Sequence, residues 1–248
     1  MKKTVIVTGA ASGIGQAIAL RIARDGHLII AVDINESTAT VEKITAEGGQ
    51  AISYSCDLRE DASVTDLFKR IEDTHGAVDI LINNAGTMGR WPLSLTETKE
   101  DDWYRIFDTN VKSVYLCCRQ VLPGMRKRGS GVIVNIASEL AFKSAQGCTI
   151  YCASKGAVVQ FTRALAVEEA SNGIRINVVC PGPVDTGLLL PTLGEVPEDN
   201  DEQSFSQTAL KRLGKPEEIA EVVRFAASEG ASYMIGSVIM ADGGVLAS

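Results

Sequence analysis

The chain has 248 residues, 45% of them hydrophobic, and a formal net charge of −7. That supports a large core, and α/β folds of roughly 200–250 residues are routinely one domain. The acidic balance argues against a nucleic-acid surface, which needs clustered Lys and Arg. The short basic run Arg126-Lys127-Arg128 ends a predicted helix, where cations complement the dipole.

Met1-Lys2-Lys3 leads into a brief apolar run and a glycine turn, unlike a secretory leader. No stretch approaches the ~20 apolar residues of a membrane span. The six cysteines form no C-x-x-C pair, so free buried thiols and a cytoplasmic setting are expected. The two histidines, His27 and His75, fall near predicted helix C-termini. Neither a histidine triad nor a metal site is expected.

In chain order, β-branched runs at 4–8, 28–32, 51–56, 78–83, 131–136, 175–180 and 237–240 alternate with helical stretches at 13–25, 37–47, 62–75, 101–127, 150–172 and 216–228. Most runs are nearly continuous in apolar residues, as in strands buried on both faces of a parallel sheet. The alternation predicts an α/β Rossmann-type, doubly wound fold: a seven-stranded, mostly parallel sheet with helices on both faces. Nothing splits the chain, so one domain over 1–248 is expected.

The first run opens directly into Thr8-Gly9-Ala10-Ala11-Ser12-Gly13-Ile14-Gly15 and a helix. Glycines there let the backbone approach a pyrophosphate resting on the helix N-terminus. An ordinary glycine-rich turn is the alternative, and the strand-turn-helix context disfavours it. Asp33, closing the second run 18 residues beyond Gly15, can accept hydrogen bonds from both hydroxyls of an adenosine ribose. A 2′-phosphate would meet like charge there, with no cation at Ser12, Ile34 or Asn35 to relieve it. NAD(H) is therefore expected over NADP(H). The alternative for Asp33 is helix capping, for which Asn35 or Ser37 is better placed.

Tyr151 and Lys155 lie four apart on a predicted helix, hence on one face. A cation beside a phenol lowers its pKa and readies it for proton transfer. Alone, the spacing also fits a half-buried tyrosine with a solvated lysine. Cys148 and Cys152 flank the pair and read as packing or pocket-wall residues.

Together these motifs resemble the short-chain dehydrogenase/reductase family in its shorter, single-domain branch, over almost the whole chain. The turn 8–15 matches the family's cofactor turn. Asp57, with Leu58 beside it, matches the acid at the adenine ring. Asn83-Asn84-Ala85-Gly86 matches the N-N-A-G run, and Asn110 the helix asparagine of the catalytic set. Ser138 lies 13 residues before Tyr151, as the family pattern requires. Pro181-Gly182-Pro183-Val184-Asp185-Thr186 looks like the segment that packs on nicotinamide, and Ala241-Asp242-Gly243-Gly244 like the C-terminal D-G-G.

The resemblance implies Tyr151 as general acid/base. Lys155 would lower its pKa and hydrogen-bond the nicotinamide ribose. Ser138 would hold the substrate oxygen, and Asn110 would fix a water leading from Lys155. It also implies a homotetramer, built through the helices at 101–127 and 150–172 and the C-terminal strand.

Substrate contacts are expected from Ser138, Tyr151, Leu140 and Gln146, with Met88, Arg90, Trp91, Glu139 and Pro183 on the wall. That mix suits a neutral secondary alcohol or ketone, since Glu139 would repel a carboxylate if it faces the pocket. The irregular stretch 186–214 is expected to be a substrate lid, with a disordered acidic loop as the alternative. Two other functions stay open: an NADP(H)-dependent ketone or 3-oxoacyl reductase, and a non-catalytic NAD(H)-binding sensor or scaffold. An epimerase or dehydratase would need a larger substrate domain.

Overall fold

The structure is a computed structural model describing residues 2–186 and 208–247. Seven strands are laid down in chain order: β1 (Thr4–Thr8), β2 (Leu28–Asp33), β3 (Gln50–Ser55), β4 (Ile80–Asn83), β5 (Gly131–Ile136), β6 (Ile174–Pro181) and β7 (Val238–Ala241). They form one sheet in the spatial order β3-β2-β1-β4-β5-β6-β7, and every pairing is parallel. The continuous apolar runs have the expected cause: every residue of β1, β4 and β5 is buried, so neither sheet face meets water. β3 and β7 are the edge strands, and the side chains of β3 are only partly covered.

Alternate residues of each strand serve opposite layers. Val5 and Val7 point to the layer formed by α1 (Gly13–Ala23) and α7 (Pro216–Ala227), where Ile18, Ile22, Ile219 and Val223 are buried. Ile6 points the other way, into the layer of α3 (Asp61–His75), α5 (Ser113–Arg128) and α6 (Thr149–Glu169). The smaller α2 (Thr38–Ala46) adds Ile44 to the first layer. The chain crosses from β3 at one edge back to β4 beside β1. Loops leaving β1 and β4 therefore diverge and open a crevice at the strand C-termini.

The helix expected over 101–127 is broken. α4 (Glu100–Phe107) passes into a π turn at Asp108–Lys112 before α5 begins, with the Ser113 N–H reaching back to the Asp108 carbonyl. The apolar period runs through this bulge unbroken, which is why it is invisible in the sequence. The extra residue rotates Asn110 into the interior, where it is 1% exposed.

The basic run closing α5 does more than complement a dipole. Arg126 pairs with the fully buried Glu169 of α6, and Arg128 Nη2 donates to the Val78 carbonyl at 2.6 Å. A buried polar chain fixes α6 against the sheet: Asn83 Nδ2 donates to Asn135 Oδ1, Asn135 Nδ2 to Thr162 Oγ1, and Thr162 Oγ1 to the Val158 carbonyl. Each polar group has a partner, so the chain costs little to bury and locks the helix register. His27 and His75 both sit at the N-terminal ends of the strands, remote from the crevice. His75 Nε2 there meets the Tyr54 hydroxyl at 2.9 Å.

Candidate active site

The glycine turn lies at the crevice between β1 and β4. Gly9 has φ +65°, and a Cβ there would stand 2.8 Å from Asn84 Nδ2 and 2.9 Å from the Ala85 Cα. A Cβ on Gly15 would stand 2.0 Å from the Gly9 carbonyl oxygen. Only glycine lets the turn fold onto the start of α1. Ser12 is the N-cap, yet its side chain makes no capping bond. The first N–H groups of α1, from Gly13, Ile14 and Gly15, point into the crevice as an anion site. The Thr186 side chain packs against Gly13.

Asp33, at the end of β2, is held beside this turn. Its Oδ2 accepts from the Ala11 N–H at 3.0 Å and its Oδ1 from the Asn35 N–H at 3.0 Å. Among the described residues it has no ion-pair partner. A carboxylate with spare lone pairs next to an open helix N-terminus fits a dinucleotide's ribose and pyrophosphate.

The N-N-A-G run is knitted to the turn. Asn84 Nδ2 donates to the carbonyls of Thr8 (3.0 Å) and Gly9 (3.2 Å). The N–H groups of Asn84 and Ala85 both donate to Thr8 Oγ1 at 3.0 Å. Thr8, read from the sequence as the residue where strand meets glycine turn, thus also ties that turn to the N-N-A-G run. Gly86 brings its backbone close to Lys155 Nζ and Asn110 Oδ1. Pro181 ends β6, Gly182 packs its backbone on Asp242, and Val184 is bridged to Gly214. The residues flanking the expected lid therefore lie side by side, while 187–207 fall outside the described residues.

Asp57 and Leu58, expected at the adenine, follow β3. Leu58 is buried in the core, so only its main chain is available to an adenine ring. Asp57 is gripped by Arg59, with Nε 2.9 Å from Oδ1 and Nη2 2.6 Å from Oδ2, and this pair holds its carboxyl below the usual range.

The four expected catalytic residues do meet. Ser138 follows β5, and its Oγ accepts from the Leu140 N–H at 3.1 Å. Tyr151 and Lys155 come from the first two turns of α6 and are 9% and 4% exposed. Lys155 Nζ lies 5.7 Å from the centre of the Tyr151 ring and donates to the Ile136 carbonyl at 3.1 Å. Asn110 is held on both sides: Oδ1 accepts from the Thr87 N–H, and Nδ2 donates to the Thr87 carbonyl and to Ser154 Oγ. Its side chain clamps the exit of β4, leaving one Oδ1 lone pair for a water. Thr87 and Ser154, its partners, carry no sequence motif that could have flagged them.

The electrostatics differ from the expectation that Lys155 brings Tyr151 down. Burial pushes the Tyr151 phenol well above its ordinary value, Glu139 adds to the rise, and the hydrogen bond to Ser138 only partly offsets them. Burial also draws Lys155 down to about 8. Desolvation wins because both groups sit in a nearly dry pocket. Burial likewise pushes Cys148 up to about 12, as suits a wall residue rather than a reactive thiol.

Beside Tyr151, a cleft is walled by Met88, Arg90, Leu93, Ile106 and Cys148. Arg90 is tied to Asp102 at 2.6 Å across its mouth. Leu140 is half-buried next to Ser138. Gln146 is exposed, and its carbonyl accepts from the Trp91 indole at 3.1 Å. A larger hollow between Arg24, His27, Glu47 and Gln50 lies at the opposite ends of the strands and holds none of these motifs. Among the described residues no cluster of His, Cys, Asp or Glu could hold a metal, and no helix could cross a membrane.

Known proteins match this arrangement along nearly the whole chain. A family profile described as Enoyl-(Acyl carrier protein) reductase matches residues 9–246. The 3-oxoacyl-[acyl-carrier-protein] reductase of Thermotoga maritima is 37% identical over 246 residues, covering 98% of both chains. The meso-2,3-butanediol dehydrogenase of Serratia marcescens is also 37% identical, covering 99% of this chain and 95% of its own. A solved structure of a putative NAD(P)-dependent gluconate 5-dehydrogenase from Beutenbergia cavernae, with bound NADP at low occupancy, superposes with a TM-score of 0.93. It is 34% identical and covers 99% of this chain and 97% of that one. Matched end to end in sequence and in the parallel sheet, the chain belongs to the short-chain dehydrogenase/reductase family and is an oxidoreductase of alcohol- and ketone-type substrates.

Proposed function

We propose that the chain transfers a hydride between NAD(H) and a neutral secondary alcohol or ketone, with Tyr151 as general acid/base. The observation that carries this reading is the convergence of Ser138, Tyr151 and Lys155 beside a glycine turn that bears Asp33. The nicotinamide cofactor, when bound, supplies the hydride chemistry. The open N–H groups of α1 would hold its pyrophosphate, with Gly9 and Ser12 in the turn. Asp33 would hold the adenosine ribose and Asp57 would lie near the adenine. Asn84, Ala85 and Gly86, together with Pro181, Gly182, Val184 and Thr186, would line the nicotinamide end.

Tyr151 keeps its proton through neutral pH because burial raises its pKa. That is the form needed to protonate a carbonyl oxygen, so reduction is favoured at neutral pH and oxidation gains as pH rises. Lys155 is charged below pH of about 8 and offers its ammonium to the nicotinamide ribose. Ser138 orients the reacting oxygen, and Asn110 holds the β4 exit that shapes the pocket floor. The buried Glu139 beside Ser138 disfavours carboxylate substrates. The chain is further read as one domain, acting in the cytoplasm as a homotetramer. Exposed Trp103, Tyr115 and Val167 on the helices and Met240 and Leu246 at the C-terminus support that assembly.

A second reading, an NADP(H)-dependent 3-oxoacyl or ketone reductase, is favoured by the 3-oxoacyl reductase relative and by the structure holding NADP. The charge of Asp33 opposes it. Steady-state kinetics on a ketone panel with each cofactor separates the two. A like-charge contact of about 1–4 kcal/mol predicts roughly 5- to 1,000-fold higher kcat/KM with NADH, and Asp33→Ala narrows the gap. Equal or better efficiency with NADPH overturns the NAD(H) assignment.

A further inference from the structure

Glu139 is the carboxyl nearest the reacting centre, and the proposed chemistry leaves it without a part beyond charge. It opens a short 3-10 turn (Glu139–Ala141) after β5 and is 8% exposed. Ser138 Oγ lies 2.5 Å from Glu139 Oε2. Ser138 Oγ also accepts from the Leu140 N–H at 3.1 Å.

A serine hydroxyl has one proton and two acceptor lone pairs. With Glu139 ionised, the proton goes to the carboxylate and one lone pair takes the Leu140 N–H. A substrate carbonyl oxygen can only accept, and in this state Ser138 has no proton to offer it. With Glu139 protonated, its O–H can donate across the same 2.5 Å contact. The lone pairs of Ser138 are then filled by Leu140 and Glu139, and its own proton is released toward the substrate oxygen.

We propose that Glu139 is a positioning residue whose proton switches the Ser138 hydroxyl from the Glu139 carboxylate onto the substrate oxygen. The inference rests on the reading of Ser138 as a hydroxyl that meets that oxygen.

The surroundings let both states of the carboxyl occur. Burial raises its pKa, and Asp242 beyond β7 raises it further, while the Ser138 and main-chain hydrogen bonds pull it down. Tyr151 and Cys148 face it from α6, and Cys180 faces it from β6. Two lysines belong to neighbouring elements. Lys155 has its Nζ on the Ile136 carbonyl, and Lys143 bonds the Glu139 carbonyl through its backbone N–H.

Two measurements test the switch. The first needs no substrate: a difference-infrared titration of the Glu139 carboxyl, identified by its loss in Glu139→Gln. Removing the Ser138 hydroxyl in Ser138→Ala should move the Glu139 midpoint to higher pH, and an unmoved midpoint overturns the proposal. The second is the pH profile of kcat/KM for reduction of 2,3-butanedione, a neutral probe. The wild type should lose about tenfold per pH unit above the Glu139 midpoint. Glu139→Gln should lack that descending limb, because an amide N–H donates to Ser138 Oγ at every pH. A purely structural role would lower the whole profile without removing a limb, and an identical limb in both proteins overturns the switch. If the probe is not reduced by any form, the substrate reading falls, and the infrared coupling alone decides the switch.

Discussion

The two halves of the site are built from opposite materials. The cofactor half, from Gly9 to Gly15 with Asp33, is main chain and small residues, and its polar atoms are either partnered or open to the crevice. The chemical half packs Ser138, Glu139, Tyr151 and Lys155 into a space where each is under 10% exposed. Their proton affinities there are pushed away from ordinary values by burial. The first half recognises by shape and costs little to fold. The second stores electrostatic tension, which is what a proton-transfer site needs and what stability opposes.

Breaking each half should therefore give a different signature. The largest effect is expected for Tyr151→Phe, which removes the transferable proton and keeps the ring. Stopped-flow or steady-state assays should show kcat falling by about 10²–10⁴-fold, with cofactor affinity nearly unchanged. A silent Tyr151→Phe would mean that the chemistry lies elsewhere. Gly15→Val strikes the other half. Its branched side chain cannot occupy space 2.0 Å from the Gly9 carbonyl, so the turn must open. Overpacking of about 1–3 kcal/mol should weaken dinucleotide binding up to about 100-fold in a fluorescence titration. The titration behaviour of Tyr151 and Lys155 should stay intact.

The contrast also explains what the sequence revealed. The cofactor half was legible because glycine spacing after a strand is a backbone requirement, and backbone requirements are written locally. The parallel sheet was legible for the same reason, in runs with no polar face. The candidate chemical residues were picked out by the Tyr151–Lys155 spacing and, for Ser138, by the family resemblance, neither of which tells how deeply the groups are buried. Burial depth depends on α6 docking against β5 and β6, which no local pattern encodes. The π turn at Asp108–Lys112, the Thr8 hub and the Asn110–Thr87 clamp were missed alike, because each arises from contacts between distant segments.

The smallest expected effect is the one that most directly measures the tension. Lys155 has its pKa drawn from 10.5 down to about 8 by burial. Between those values the unfolded chain binds more protons than the folded one, so this group makes stability rise as pH rises through that window. Below about pH 8 the folded protein bears the full cost of a buried charge, about 3 kcal/mol. Lys155→Met relieves that cost but abandons the hydrogen bond to the Ile136 carbonyl, worth about 1 kcal/mol. The variant should therefore lose activity and yet be more stable by about 2 kcal/mol at pH 7 in urea denaturation. By pH 10 the advantage should have vanished, because the wild-type lysine is then neutral in the folded state and only partly charged in the unfolded one. A Lys155→Met protein less stable than wild type at pH 7 would show that the ammonium is compensated in place. The contrast between a relaxed cofactor half and a strained chemical half would then fail at its central residue.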